Sequence, residues 1–249
     1  MAGWKRGAIS ADFKKAAAGF CLVVILAIFV PRSQIEWPQS LVGRVAATPA
    51  MLALELPHDV DEFERFVRTT QQRGLIKAAI LNDQLAVLGW MVFFAVFAAT
   101  VRNERAAILL AALVAVTFSF DLLEKGAIRE MLKSSPAVDL PEGMSAVLGA
   151  ASLKYLGVFS IFYSVSQVVI KSHRTWERSL GLLLRTAAAA GIFGTVASFL
   201  SSSARPIVAV AIDVAGVVFG VLIVASAWEE YRLRYPRRLV PATKDEAVS

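Results

Sequence analysis

Asp121 and Glu124 stand in FSFDLLEKGAIREML, residues 118–132, at the end of ILLAALVAVTFSF, an apolar run of the kind that enters lipid. A carboxylate in a hydrocarbon layer is costly unless it is paired, hydrogen-bonded or protonated, so acids in such a place mark a candidate site. Lys154 lies in the apolar segment 146–170, Asp213 in 206–228, and Asp83 near the start of 80–101. At 1.5 Å per helical residue, Asp121 is about 24 Å from Arg105, Lys154 about 25 Å from Lys171, and Asp213 about 24 Å from Glu229. Three ionisable residues on three helices thus share one level, with Asp83 and Glu124 near its outer edge. Asp121 with Lys154 is the expected pair. The acids outnumber Lys154, so one carboxylate is expected to keep its proton, and Asp83, Asp121, Glu124, Lys154 and Asp213 are the binding or proton-titrating candidates.

Other chemistry finds less support in the chain. It holds no GxSxG, HExxH, Walker A or CxxC pattern, so no catalytic residue is assigned and the reading leans away from an enzyme. Cys21 is the single cysteine and excludes an internal disulfide. His58 and His173 fall in connecting segments with no Cys or His at metal-ligand spacing, so neither a metal site nor a cofactor is expected.

The elements that must position these residues are membrane helices. Of 249 residues 57% are hydrophobic, and the mean hydropathy is +0.60, well above the usual soluble range. A bilayer core needs about 20 helical residues per crossing. Six segments meet that length, at about 13–30, 80–101, 106–124, 146–170, 179–202 and 206–228. The expected fold is all-α, a polytopic transmembrane bundle forming one integral membrane domain over 1–249. The first segment follows Lys5, Arg6, Lys14 and Lys15 and also fits a signal peptide, but no small-x-small cleavage site follows it, which favours an uncleaved anchor. The Lys and Arg residues of the short connections put both termini in the cytoplasm.

Between the first two segments, Pro31, Pro38, Pro49 and Pro57 break the first half of an outer loop, and HDVDEFERFVRTTQQRG predicts a short amphipathic helix over about 59–74. This helix either lies on the outer membrane surface or caps the bundle. The basic tail, 229–249, suits anionic lipid of the inner leaflet. Positive-inside topology already accounts for its charge, so a nucleic-acid role is not expected. Gly216 and Gly220 form a GxxxG on the face of Asp213, which predicts that Asp213 points inward. A matching small seam runs through Ala187, Gly191, Gly194 and Ser198, and the Ser-rich turn before Pro206 predicts an antiparallel hairpin. Arg185, about 9 Å from the inner boundary, is expected to snorkel to the headgroups and receives no functional weight.

LALEL at 52–56, Asp83, DLLEK at 121–125 and SLKY at 152–155 give the chain a resemblance to a group of bacterial multi-pass proteins. That group carries an ELA-like segment after its first span, an Asp in its second, a DxxEN in its third and a Lys-aromatic pair in its fourth. The resemblance covers residues 10–170. The chain departs from the pattern at Lys125, where the group has Asn, at Trp90, where Tyr is common, and at Pro57. It implies a bacterial inner-membrane protein, donates no activity, and adds Glu55 as an outer-loop candidate.

Three function classes follow. A non-enzymatic membrane protein with a scaffold, binding or assembly role leads, because the loops are too small for a soluble catalytic domain. A carrier or channel using the acid/Lys cluster for proton or ion coupling is second. A membrane-embedded lipid-modifying enzyme is third. Beyond the lipid bilayer, the expected partner is another protein or a second copy of the chain.

Overall fold

The computed structural model describes residues 52, 55–57, 74, 76, 94, 104–133, 140–171 and 174–234. Four long helices follow one another: α1 (Glu104–Lys133), α2 (Leu140–Val169), α3 (Thr175–Ser198) and α4 (Arg205–Arg234), with a 3-10 turn at Ser202–Ala204 before the last. Each packs on the next in sequence.

Local chemistry explains the helix ends. α1 continues past Phe120 through Asp121, Glu124 and Lys125 as far as Lys133, and Ser134, Ser135 and Pro136 follow it in the sequence, the last a residue that cannot continue a helix. Arg174 is extended ahead of α3, and its guanidinium lies 3.4 Å from Glu177 in the first turn. At the far end, Phe199, Leu200 and Ser201 donate backbone N–H groups to Val196 and Ala197, tightening the last turn. Pro206 then sits in the first turn of α4, where its missing N–H costs nothing. The predicted α3–α4 hairpin therefore forms.

Close approaches set the registers. On α2, Gly157 faces Thr117 of α1 and Gly143 faces Met131, so the two helices run antiparallel. Gly181 of α3 lies against Val169 and Ile170 of α2, and Gly191 against the ring of Phe159. Gly194 meets Ile207 and Val208 of α4. The core between them is continuous, from Leu52 and Leu56 through Val114, Tyr155, Phe159 and Leu184 to Val208, Ala215 and Leu222. Phe94 joins it by stacking on Phe219 at 5.3 Å between ring centres and meeting Phe162 edge-on at 6.2 Å.

The expectation of six spans is corrected here. Among the described residues the architecture is an all-α bundle of four helices, of which three are long and apolar enough to cross a membrane: Gly143–Val169, Thr175–Ser198 and Arg205–Leu222. The predicted third span, 106–124, belongs to α1, whose described apolar run from Ile108 to Phe120 passes directly into Asp121, Glu124 and Lys125. Among the described residues, α1 is not one of those three helices. The segments 13–30 and 80–101, Phe94 excepted, lie outside the described residues, as do Asp83, both termini and the helix expected over 59–74, apart from Gly74. The tail beyond Arg234 lies outside them as well.

Candidate functional site

The antiparallel register of α1 and α2 brings the 121–125 stretch alongside the 152–155 stretch, because residue 117 sits by 157 and residue 131 by 143. Asp121, Glu124 and Lys125 lie on the buried side of α1 and Lys154 and Tyr155 on that of α2. Glu55 comes to the same place from the segment holding Leu52 and Leu56. Leu56 donates its N–H to the carbonyl of Leu52 at 2.7 Å, and both leucines enter the core.

Among the described residues the result is a network of five charged side chains and a phenol, buried from solvent. Lys125 Nζ donates to Glu55 Oε1 at 2.7 Å and to Glu124 Oε1 at 3.0 Å. Lys154 Nζ donates to Glu55 Oε2 at 2.9 Å, lies 2.5 Å from Glu124 Oε2, and is 3.7 Å from Asp121 Oδ1. The Tyr155 hydroxyl donates to the same Glu55 oxygen, and the Lys154 ammonium stands 4.5 Å from the centre of the Tyr155 ring. Lys154, at 9%, has the most exposed of the five charged side chains. At such burial each charge depends on its neighbours, since breaking a pair leaves the partner uncompensated.

Glu55 is the hub, with both oxygens engaged by two ammoniums and a phenol. Burial by itself pushes its carboxyl up, but the Lys125 and Lys154 ammoniums and the hydrogen bonds from Lys125 and Tyr155 outweigh this and hold it well below the usual carboxylate range. Among the described residues, three carboxylates face two ammoniums. The buried hydroxyl of Ser152, two residues before Lys154, makes no hydrogen bond among the described residues.

Of the candidates read from sequence, Glu55, Asp121, Glu124 and Lys154 meet in this cluster. The expected Asp121–Lys154 contact is present, yet at 3.7 Å it is the longest of the three that Lys154 makes with carboxylates. Asp213 stands elsewhere, exposed on α4. It does share a face with Gly216 and Gly220, as the spacing requires. The buried face of α4 is instead the one bearing Val208, Ala211, Ala215, Val218, Phe219 and Leu222. Gly216 and Gly220 accordingly have nothing among the described residues within 4 Å of where a Cβ would lie. Gly191 and Gly194 are both buried and tightly approached.

Lys125 and Tyr155 are the site residues that sequence reasoning missed. Lys125 stood out only as a departure from the DxxEN pattern, although its place four residues after Asp121 puts the two on one helix face. Tyr155 carried only the signal of its place beside Lys154. No group of acids, histidines or cysteines among the described residues has the arrangement of a metal site. Compared with family models, curated proteins and solved structures, the chain matches none.

Proposed function

We propose that this is a non-enzymatic integral membrane protein with a scaffold, binding or assembly role, in which the Glu55 network clasps the 52–57 segment to α1 and α2. One observation carries the reading: both cations are met by carboxylates from different parts of the chain, and every charged side chain of the cluster is closed to solvent. Such an arrangement fixes register and topology. On this reading the cluster lies within the membrane toward the outer leaflet, the protein resides in a bacterial inner membrane, as its sequence resemblance implies, and the fixed outer segment is presented to another protein or to a second copy.

A second reading, proton coupling, is favoured by the number of acids that meet in the cluster, Glu55, Asp121 and Glu124, and by the buried Ser152 hydroxyl, which makes no hydrogen bond among the described residues. One experiment separates the two. The full chain is reconstituted in proteoliposomes carrying an internal pH dye, and the Lys125→Met variant is subjected to limited proteolysis in detergent. The clasp predicts no proton flux above empty vesicles and new cleavage near residues 52–57 in the variant. Flux that disappears in Glu124→Gln, or a cleavage pattern unchanged by Lys125→Met, overturns it.

A further inference from the structure

Arg185 is a charge that the cluster leaves aside. It stands ten residues into α3, inside a helix long and apolar enough to cross a membrane, and it is exposed. Its neighbours along that face are Leu182, 53% exposed, and Phe193, 68% exposed, so the face as a whole is one that meets lipid. An arginine there is expected to stretch toward the nearer end of the helix and reach water.

The structure also gives it a partner on α2. Arg185 donates to the Tyr163 hydroxyl at 3.1 Å, and its guanidinium lies 5.3 Å from the centre of the Tyr163 ring. The α2–α3 register, with 181 beside 170 and 191 beside 159, makes paired residue numbers sum to about 350. Tyr163 is therefore level with residue 187 or 188 of α3, about 3 to 4 Å farther from the Lys171–Arg178 end than Arg185 itself. Among the described residues no carboxylate comes within ion-pair distance of Arg185, and only one hydroxyl occupies its five donors. Arg178, seven residues earlier, lies on the same face of α3 and is also exposed, with exposed Lys171 and Trp176 at the same end of the helix pair. Cations and an aromatic at a helix end are the groups that meet phospholipid headgroups.

We propose that Arg185, oriented by Tyr163 and aided by Arg178, binds the phosphate of an anionic phospholipid whose acyl chains run inward along Phe193. A planar guanidinium with free donors matches phosphate oxygens in a forked geometry, and its ammonium analogue does not. Held by the phenol, the guanidinium has already lost the freedom it would give up on binding. The proposal rests on α2 and α3 lying in a bilayer and is independent of what the Glu55 cluster does.

The test uses the full chain in mild detergent, titrated with phosphatidylglycerol, with phosphatidylcholine of the same acyl chains, and with inorganic phosphate, and read by native mass spectrometry of retained lipid. The wild type should prefer phosphatidylglycerol to phosphatidylcholine by about tenfold, because the choline cation offsets the phosphate charge and repels the guanidinium at the same phosphate. Arg185→Gln should abolish most of that preference, Arg185→Lys should keep only part of it, and Tyr163→Phe should weaken it severalfold. Equal retention of the two lipids, an undiminished preference in Arg185→Gln, or full competition by inorganic phosphate overturns the proposal. Should Arg185→Gln fail to purify, Tyr163→Phe decides, and an unchanged preference there overturns it too.

Discussion

The α1–α2 interface and the α3–α4 hairpin solve the same problem in opposite ways. Between α1 and α2, helices are joined through buried charge, with Glu55 of the 52–57 segment bridging Lys125 and Lys154. Between α3 and α4, small residues do the joining: Gly194 admits Ile207 and Val208, and one turn earlier Gly191 admits Phe159 of α2. Electrostatic joints are specific but fragile, because removal of one member strands the others in a medium of low dielectric. Packed joints gain from many small contacts and are disturbed by volume. The charged joint therefore suits a place where a segment distant in sequence must be held in one position. The packed joint suits a hairpin whose connection already keeps its helices together.

The largest expected effect is on the charged joint. Lys154→Met removes the ammonium that meets Glu55, Glu124 and Asp121 and should destabilise the protein by about 3 to 5 kcal/mol, read as a lower unfolding midpoint in detergent. A double-mutant cycle sharpens the result. Adding Glu124→Gln to Lys154→Met should recover more of the loss than adding Asp121→Asn, because Glu124 is at 2.5 Å and Asp121 at 3.7 Å. Equal recovery would mean that the two acids share Lys154 evenly.

On the packed joint, Gly191→Ala would set a Cβ 2.3 Å from the fully buried Phe159 ring, so ring or helix must shift. A cost of about 1 to 3 kcal/mol is expected from overpacking, again as a lower midpoint. The smallest effect belongs to Gly216→Ala. Nothing among the described residues lies within 4 Å of the added carbon, so a change within about 0.5 kcal/mol is expected. A loss at Gly216 as large as that at Gly191 would place a tight neighbour on that face of α4 and break the contrast.

These residues also show how far spacing carries. That Asp213, Gly216 and Gly220 share a face follows from the helical repeat and holds. Which face turns inward does not follow from the repeat, because it depends on the bulk and apolarity of the alternatives. Here Val208, Ala215, Phe219 and Leu222 provide the better buried surface. Depth along a helix located Asp121 and Lys154 at one level but could not rank Lys154's partners, since a flexible four-carbon stem reaches several acids at that level. Glu55 had only a resemblance to recommend it, as its contacts are with residues 70 and 99 positions away.

By itself the sequence determined an all-α chain built from long apolar helices, the antiparallel α3–α4 hairpin, the small seam at Gly191 and Gly194, and the need of intramembrane acids for partners. Those follow from composition, helical period, Pro206 and the cost of desolvating charge, all of which are local or depend on a single helix. Tertiary structure decided that Glu55 is the centre of the charge network, that Lys125 supplies its second cation, that Asp213 faces out, and that Arg185 turns to Tyr163. Each of these is a choice among partners of nearly equal sequence merit, and only the register of one helix against another makes it.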